Sequence, residues 1–143
     1  MLAQGRARNL SDIEGRISFM KHSFFHPQPI GGPGAFFIRQ CTHNWCDRDV
    51  VKILKSFVPG LDNSAPGTPL LINDTVLPVP GSKPLHEERA LRQMDMLMFV
   101  VLGAKQRTAK EFEALLKEAD ARYEIRRVHA DGSMGLVEVH LKI

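Results

Sequence analysis

The order of apolar and polar positions along the chain predicts several strands. Residues 35–41 and 69–74 are mostly apolar, which is typical of strands buried on both faces of a parallel sheet. Residues 17–20 form a further short run that we expect to be a strand. Apolar and polar residues alternate over 137–143, and we expect this half-buried strand to pair antiparallel with 123–128 across an Asp-Gly turn.

Three other stretches have the residue spacing of helices. After Asp47, which suits a helix N-terminus, apolar residues recur at helical intervals, and we expect this helix to end near Val58, before a Pro-Gly pair. A long and largely apolar helix is predicted over 88–102. Thr108 and Glu111 have the spacing of a capping box and predict the start of a third helix.

The order of these elements indicates the fold class. A strand, a helix, a second strand, two helices and a terminal pair of strands are typical of an α/β domain with a mixed sheet. A loop rich in Pro, Gly and Asn is expected over 59–69. The 143 residues suffice for one domain with a hydrophobic core and are too few for two ordinary domains.

Composition argues against several classes of function. No apolar run reaches the roughly 20 residues of a membrane-spanning helix, and the first residues lack the apolar core of a secretory signal. We therefore expect a cytoplasmic protein without a membrane partner. The net charge of +3 comes from scattered basic residues, which does not indicate a nucleic-acid surface. A structural zinc site takes four ligands, usually as two separated pairs. The sequence offers no second pair in addition to Cys41 and Cys46, so we expect no metal.

Three polar side chains are candidates for acid–base chemistry because of their positions after predicted strands. His43 follows the first buried strand and Asp74 ends the next. Ligands of open α/β sheets bind at the carboxyl ends of parallel strands, and neighbouring strands lie about 5 Å apart. Gln106 precedes the capped helix, where a loop can return to the same edge. A histidine held by a carboxylate and a second polar group is a general-base arrangement.

Each of these residues also has a simpler interpretation. His43 can be a structural histidine whose ring is satisfied by neighbours. Asp74 can be a turn residue, and Gln106 can be an exposed loop amide. Sequence spacing by itself leaves these alternatives open.

Segments of the chain resemble, in order, the motifs of caffeate-type O-methyltransferases and their fungal relatives. The segment 19–25 resembles a fungal His-Asp-Phe-Phe motif, and 36–47 is similar to a strand followed by His-Asp-Trp-Ser-Asp. Residues 70–78 resemble the family strand that ends in an acidic residue and Leu-Pro. Residues 94–98 and 103–112 resemble an Asp-x-x-Met helix and the run Gly-Gly-Lys-Glu-Arg-Thr-x-x-Glu-Phe. The resemblance implies a partial Rossmann-like methyltransferase domain.

The resemblance also implies an activity and a cofactor. Enzymes of this family transfer a methyl group from S-adenosyl-L-methionine. By the resemblance, the acceptor is expected to be a hydroxyl of an aromatic secondary metabolite, such as a phenolic compound, or of a polyketide. His43 matches the base that removes the hydroxyl proton. Asp74 and Gln106 match the two acids that flank this histidine.

Four further residues match binding positions of the family. Ser23 and Phe24 match the loop that touches the adenosine end of the cofactor, and Arg39 matches a basic cofactor-contacting position. Met98 matches a substrate-facing methionine, for which a place in the helix core is the alternative.

Three positions depart from the family pattern. Asn44 and Ser23 each replace an Asp, which weakens the expected cofactor contacts. Gln106 replaces a Glu, so it can form hydrogen bonds but cannot support the charge of an imidazolium.

By the same resemblance, residues 1–143 correspond to the C-terminal part of the catalytic domain. The family's N-terminal dimerisation domain and glycine-rich cofactor loop have no counterpart in this sequence, and the strand ending at Cys41 is expected to have an unpaired edge. We therefore expect the chain to act with a partner chain or as a homo-oligomer. The alternative is a catalytically inactive, truncated methyltransferase remnant that serves as a binding or scaffold module.

Overall fold

A computed structural model describes residues 15–142 of the chain. The elements are, in chain order, strand β1 (Phe36–Arg39), a 3-10 turn (Thr42–Asn44), helix α1 (Asp47–Asp62), strands β2 (Leu70–Asp74) and β3 (Val76–Leu77), helix α2 (Leu85–Leu102), strand β4 (Arg107–Thr108), helix α3 (Ala109–Ala119), and strands β5 (Tyr123–His129) and β6 (Gly135–Leu141).

Four strands form a mixed sheet in the order β1-β2-β6-β5. β1 and β2 are parallel, with Arg39 opposite Asn73, so their carboxyl ends lie side by side. β6 runs antiparallel to both of its neighbours, β2 and β5. β3 and β4 form a separate parallel pair. The predicted α/β fold with a mixed sheet and a C-terminal antiparallel strand pair is therefore confirmed.

The hydrophobic core lies between one face of the sheet and the two helices α1 and α3. Strand residues of alternating position point into it, as the period of two requires. Tyr123 is fully buried there, and its hydroxyl donates to the Leu54 carbonyl at 2.8 Å. Burial, followed by the charges of Asp120 and Asp62, raises the pKa of Tyr123 above its ordinary value. This bond fixes β5 against α1.

Strand β1 differs from the prediction in one respect. Its residues alternate between buried and exposed, and Phe37 is 58% exposed. The expectation of burial on both faces is therefore wrong for β1. The reason is that, among residues 15–142, β1 is an edge strand whose outer face is not covered by α1 or α3.

The expected strand over 17–20 is also not observed. These residues are exposed, and within the described part of the chain they pair with no strand. A strand needs a neighbour for its backbone N–H and C=O groups, and an apolar run of four residues does not supply one.

Helix α1 continues past the predicted end at Val58 to Asp62, with Pro59 inside it. Proline removes one backbone N–H, but Pro59 lies on the exposed side of the helix, where water can satisfy the freed carbonyl. Gly60, the next residue, is buried and packs against the Phe36 ring. The side chain of Ser64 then bonds the Gly60 carbonyl at 2.6 Å. Tertiary packing and this cap carry the helix one turn beyond the proline.

Helix α2 begins at Leu85, three residues before the predicted start, and ends at Leu102 as predicted. Gly103 follows it in the left-handed conformation, with φ of +61°, and its N–H bonds the last turn of the helix. Only Leu91 of this helix is fully buried. None of the helices within residues 15–142 is long and apolar enough to cross a membrane.

The predicted capping box at the start of α3 is present. The Thr108 hydroxyl accepts from the Glu111 N–H at 3.2 Å, and the Glu111 carboxylate accepts from the Thr108 N–H at 2.8 Å. Burial acts to raise the pKa of Glu111, but hydrogen bonds from Lys105 and from Thr108 outweigh it and lower the pKa to about 2. The box therefore depends on an ionised Glu111.

Substitution of Gly60 tests why α1 passes Pro59. A Cβ at position 60 would lie 2.8 Å from the Phe36 ring and 3.0 Å from a Gln28 side-chain carbon. We expect Gly60→Ala to destabilise the chain by about 1–3 kcal/mol, although the same change favours an isolated helix. Urea unfolding measures the loss. Lys55→Ala, on the exposed side, should change stability by less than about 0.5 kcal/mol. If the double variant Gly60→Ala/Phe36→Leu shows no coupling, this packing explanation is wrong.

The capping box predicts a pH dependence of stability. Glu111 has a folded-state pKa near 2, below its ordinary 4.5, so its contribution is fully present above pH 4.5 and is lost as the pH falls toward 2. Its side chain is 40% exposed, so solvent screens the Lys105 pair, and we expect Glu111→Ala to cost about 1 kcal/mol at pH 7. That difference should shrink near pH 2.5 in urea unfolding. Glu113→Ala, exposed on the same helix, is the matched control, and an equal loss there would contradict the assignment.

Candidate active site

A sharp turn after β1 presents His43 at the carboxyl edge of the sheet. Gln40 adopts the left-handed conformation with φ of +47°, which is unusual for a residue with a side chain. Its N–H bonds the Asn73 carbonyl at 3.0 Å, and its own carbonyl accepts from the Asn44 side-chain amide at 3.3 Å. A carboxylate at position 44 could not donate this bond, so the amide that replaces the family Asp helps to hold the turn.

The structure brings His43 and Asp74 together, as their positions after neighbouring strands predict. The Nδ1 atom of His43 contacts Asp74 Oδ1 directly. The Asp74 side chain is 1% exposed, and the His43 side chain is 16% exposed. A carboxylate on Nδ1 favours the tautomer with the proton on that atom, which leaves Nε2 free to accept a proton.

Asp74 receives further hydrogen bonds from both sides. The Thr42 hydroxyl donates to Oδ2 at 2.5 Å, and the His43 backbone N–H donates to the same atom at 3.2 Å. The Thr75 N–H donates to Oδ1 at 3.0 Å. A buried carboxylate without such partners would cost several kcal/mol. Asp74 is therefore more than a turn residue, because its donors come from both the β1 and the β2 ends.

Gln106 makes no hydrogen bond to this pair within the described residues. Its side chain is buried, at 2% exposure, so the alternative of an exposed loop amide is wrong. Its N–H donates to Asp95 Oδ1 at 2.8 Å, while its Oε1 has no hydrogen-bond partner among the described residues. The chain returns here because β4 pairs with β3, placing Arg107 opposite Val76. The third predicted group thus reaches the same edge.

Arg107 is a site residue that sequence reasoning missed. It is 1% exposed and donates to the backbone carbonyls of Thr42 and Trp45, both at 2.9 Å. Its Nε and Nη2 also bond Asp47 Oδ1 at 3.0 and 2.7 Å. The only signal in the sequence was its place in the Lys-Gln-Arg-Thr run, which carries no information about burial.

Phe24 lies at the same edge as His43. Its ring contacts that of Trp45 edge-on, with centroids 5.7 Å apart, and Phe25 contacts the same indole at 4.9 Å. The Ser56 hydroxyl bonds the Phe24 carbonyl at 2.7 Å and fixes the segment to α1. The predicted adenosine-contacting segment is therefore next to the His43 turn.

The other two predicted cofactor residues are exposed. Arg39 is the last residue of β1, so its charge stands at the carboxyl end of the strand. Ser23 lies in a turn closed by a 2.9 Å bond from the His26 N–H to the Ser23 carbonyl. Neither side chain makes a hydrogen bond that would occupy it within residues 15–142.

Met98 is half-buried on α2, so it is not a core methionine. The helix contacts the 3-10 turn that carries His43. A groove of about 200 Å³ lies between the end of that turn and the end of α2, lined by Cys46, Asp47, Phe99, Gly103, Ala104 and Lys105. The remaining apolar side chains of α2 that are well exposed are Leu85, Met94, Met96, Leu97, Phe99, Val100, Val101 and Leu102.

Within the described part of the chain, the two cysteines belong to no group of potential metal ligands. Cys41 and Cys46 are free thiols. Over residues 15–142, no group of three His, Cys, Asp or Glu side chains is arranged to hold a metal ion. Burial, with the nearby Asp74 charge, raises the pKa of the Cys41 thiol, while a hydrogen bond with Trp45 lowers it less.

Comparison with known proteins gives a consistent result. A family model described as an O-methyltransferase domain matches residues 2–122. The O-methyltransferase sol2 of Alternaria solani is 98% identical over 143 residues, which is 100% of this chain and 34% of that protein. The chain thus spans about a third of the length of this curated relative.

Two solved structures share the fold. The crystal structure of LaPhzM superposes with a TM-score of 0.76 at 26% identity, covering 98% of this chain and 40% of that one. NcsB1, an O-methyltransferase from neocarzinostatin biosynthesis in complex with S-adenosylmethionine and 2-hydroxy-5-methyl naphthoic acid, superposes with a TM-score of 0.75 at 24% identity, covering 98% and 38%. The likenesses confirm the predicted partial Rossmann-like methyltransferase fold.

Substitution of Thr42 tests how much the Asp74 carboxylate depends on its donors. Thr42→Val keeps the shape and removes the hydroxyl that bonds Asp74 Oδ2 at 2.5 Å, and we expect a loss of about 2 kcal/mol. Thr42→Ser keeps the hydroxyl and removes one buried methyl group, for about 1 kcal/mol. Urea unfolding compares the two. A larger loss in the Ser variant would show that packing, and not the hydrogen bond, is what position 42 supplies.

Proposed function

The chain belongs to the O-methyltransferase domain family, and from that premise we propose that the protein methylates a hydroxyl of an aromatic or polyketide secondary metabolite, with His43 as general base. The observation that carries the proposal is the contact of His43 Nδ1 with the buried Asp74, on a histidine whose side chain remains 16% exposed. One ring nitrogen is held, and the other is available to a substrate.

His43 supplies the proton transfer in this reaction. S-adenosyl-L-methionine, when bound, supplies an electrophilic methyl group on a sulfonium. Nε2 of His43 would accept the proton of the substrate hydroxyl, so that the hydroxyl oxygen is free to take the methyl group that the bound cofactor would supply. A phenol has an ordinary pKa near 10 and is therefore protonated near neutral pH, so a positioned base that removes its proton increases the rate of the reaction.

Asp74 supports the charge that His43 acquires. The imidazolium formed on proton transfer faces a carboxylate that already holds Nδ1, so its charge is stabilised without movement of either group. The hydroxyl of Thr42 and the backbone N–H groups keep Asp74 oriented. Asp74 thus fixes the ring and its tautomer.

Gln106 supplies an acceptor without charge. Its buried Oε1 lacks a partner within the described residues, which fits an atom whose hydrogen bond is completed by a ligand or by the protonated imidazole. Because an amide carries no charge, it stabilises the imidazolium less than the glutamate of the family would.

The exposed residues at this edge fit the cofactor in chemistry. Arg39 offers a guanidinium for a carboxylate, Ser23 offers a hydroxyl, and Phe24 offers an aromatic surface for an adenine. NcsB1, which shares the fold, was solved with S-adenosylmethionine and a naphthoic acid. The half-buried Met98 and the exposed apolar residues of α2 suit an aromatic acceptor.

The second candidate function is a non-catalytic binding or scaffold module. The observation that favours it is the neutral Gln106 in the place of a family glutamate, together with Ser23 in the place of an aspartate. Both changes leave hydrogen-bonding capacity and remove charge.

Substitution of His43 separates the two candidates. We expect this chain, or sol2, without substitutions to transfer a labelled methyl group from S-adenosylmethionine to at least one phenol of a panel, and the variants are made in the protein that does so. His43→Ala should lower kcat by about 10² to 10⁴-fold, since it removes a general base, while calorimetric affinity for the cofactor stays unchanged. Arg39→Ala should weaken that affinity instead. His86→Ala is the matched control, because its side chain is 83% exposed.

The outcomes of this experiment are distinct. Absence of cofactor binding and turnover in both proteins would support the non-catalytic module. Turnover that persists in the His43→Ala variant at the rate of the unsubstituted protein would refute the assignment of the base.

A further inference from the structure

The guanidinium of Arg107 is buried and fully bonded. Its side chain is 0% exposed. Arginine has five N–H donors in a fixed plane, and here Nε bonds Asp47, Nη1 bonds the carbonyls of Thr42 and Lys105, and Nη2 bonds the Trp45 carbonyl and Asp47. A buried charge is costly unless it is paired and hydrogen-bonded. All five donors are used, so this site is built around the arginine.

The acceptors of Arg107 surround His43 along the chain. The Thr42 carbonyl directly precedes His43, and the Trp45 carbonyl lies two residues after it, both 2.9 Å from the guanidinium. Asp47 begins α1. One rigid, planar group therefore fixes both sides of the short turn on which the imidazole stands.

The backbone of Arg107 connects this turn to Asp74. Arg107 is paired with Val76 in the β3–β4 ladder, and Val76 is two residues from Asp74. The guanidinium thus bridges the segment that carries the histidine and the segment that follows the carboxylate. It sets their relative position independently of the His43–Asp74 contact itself.

We propose that Arg107 is a positioning residue, whose guanidinium fixes the turn 42–47 so that His43 Nδ1 stays on Asp74 and Nε2 faces the open edge. The proposal rests on the proposed function of His43 as base. Arg107 touches no reacting atom and acts through the Thr42 and Trp45 carbonyls.

Lysine cannot replace this group. An ammonium has three donors on one atom, whereas Arg107 reaches acceptors on opposite sides of a planar fork. Arg107→Lys therefore keeps the charge and loses the geometry. The expected effect is a turn that is populated in more than one conformation.

The single tryptophan of the chain reports on this turn. Trp45 is the only indole, and its ring is packed against Phe24 and Phe25. We expect Arg107→Lys to increase acrylamide quenching of Trp45 fluorescence, with circular dichroism unchanged. Arg122→Lys is the matched control, because the Arg122 guanidinium pairs with Asp62 and Asp120 on the surface and, among the described residues, makes no hydrogen bond to the turn.

Kinetics separate positioning from a purely structural role. In the chain or in sol2 with equivalent changes, Arg107→Lys should lower kcat by about 10²-fold through misplacement of the base, with KM for S-adenosylmethionine unchanged. In Arg107→Ala, 20 mM guanidinium should restore part of kcat, while 20 mM urea should not. Unchanged kcat in a folded Arg107→Lys variant overturns the proposal, and so does unchanged quenching.

Two further outcomes remain interpretable. If Arg107→Lys does not fold, Asp47→Ala tests the same bonds, since it removes the oxygen that accepts from both Nε and Nη2 of Arg107. Increased Trp45 quenching supports the proposal, and unchanged quenching overturns it. If neither unsubstituted protein shows turnover, the proposed function of His43 fails. The fluorescence comparison then still decides whether Arg107 holds the turn.

Discussion

The buried carboxylate of Asp74 is the constraint on which the rest of the site depends. A carboxylate at 1% exposure is tolerable only with several donors, and here they come from the turn after β1 and from the residue after β2. The turn that carries His43 must therefore be formed for Asp74 to be buried. The imidazole is therefore positioned by the same hydrogen bonds that make the burial of Asp74 possible, which explains why a short turn with one left-handed residue holds it in one orientation.

The edge of the sheet has an inner side that is fixed and an outer side that is open. The buried residues are Asp74, Gln106 and Arg107. Hydrogen bonds hold the side chains of Asp74 and Arg107 in place. Arg39, Phe24 and the apolar face of α2 are exposed. The general base proposed at His43 would need a rigid support and access from one side, and this division of buried and exposed groups is consistent with both needs. The fold by itself does not specify a reaction, and the proposed methyl transfer depends on these side chains and on family membership.

The structure differs from the sequence-based predictions where an element packs against residues that are remote in the sequence. Pro59 predicted the end of a helix, yet the helix continues because Gly60 allows the Phe36 ring to approach closely. The apolar run of β1 predicted burial on both faces, but α1 and α3 cover only one. In both cases the burial and the length of the element depended on which other element packs against it, and the local sequence pattern does not specify that element.

The sequence by itself determined the order of the three helices and of strands β1, β2, β5 and β6, the capping box of α3, and the positions of His43 and Asp74 at the ends of adjacent parallel strands. These follow from short-range periodicity and from the rule that parallel strands end at one edge. Only the tertiary structure decided that Gln106 is buried and that Arg107 bonds the turn. Burial of a charged side chain depends on acceptors supplied from elsewhere, and the acceptors of Arg107 on Asp47 and Thr42 lie 60 and 65 residues away. No local pattern encodes such a partner, because the free energy belongs to the assembled contact.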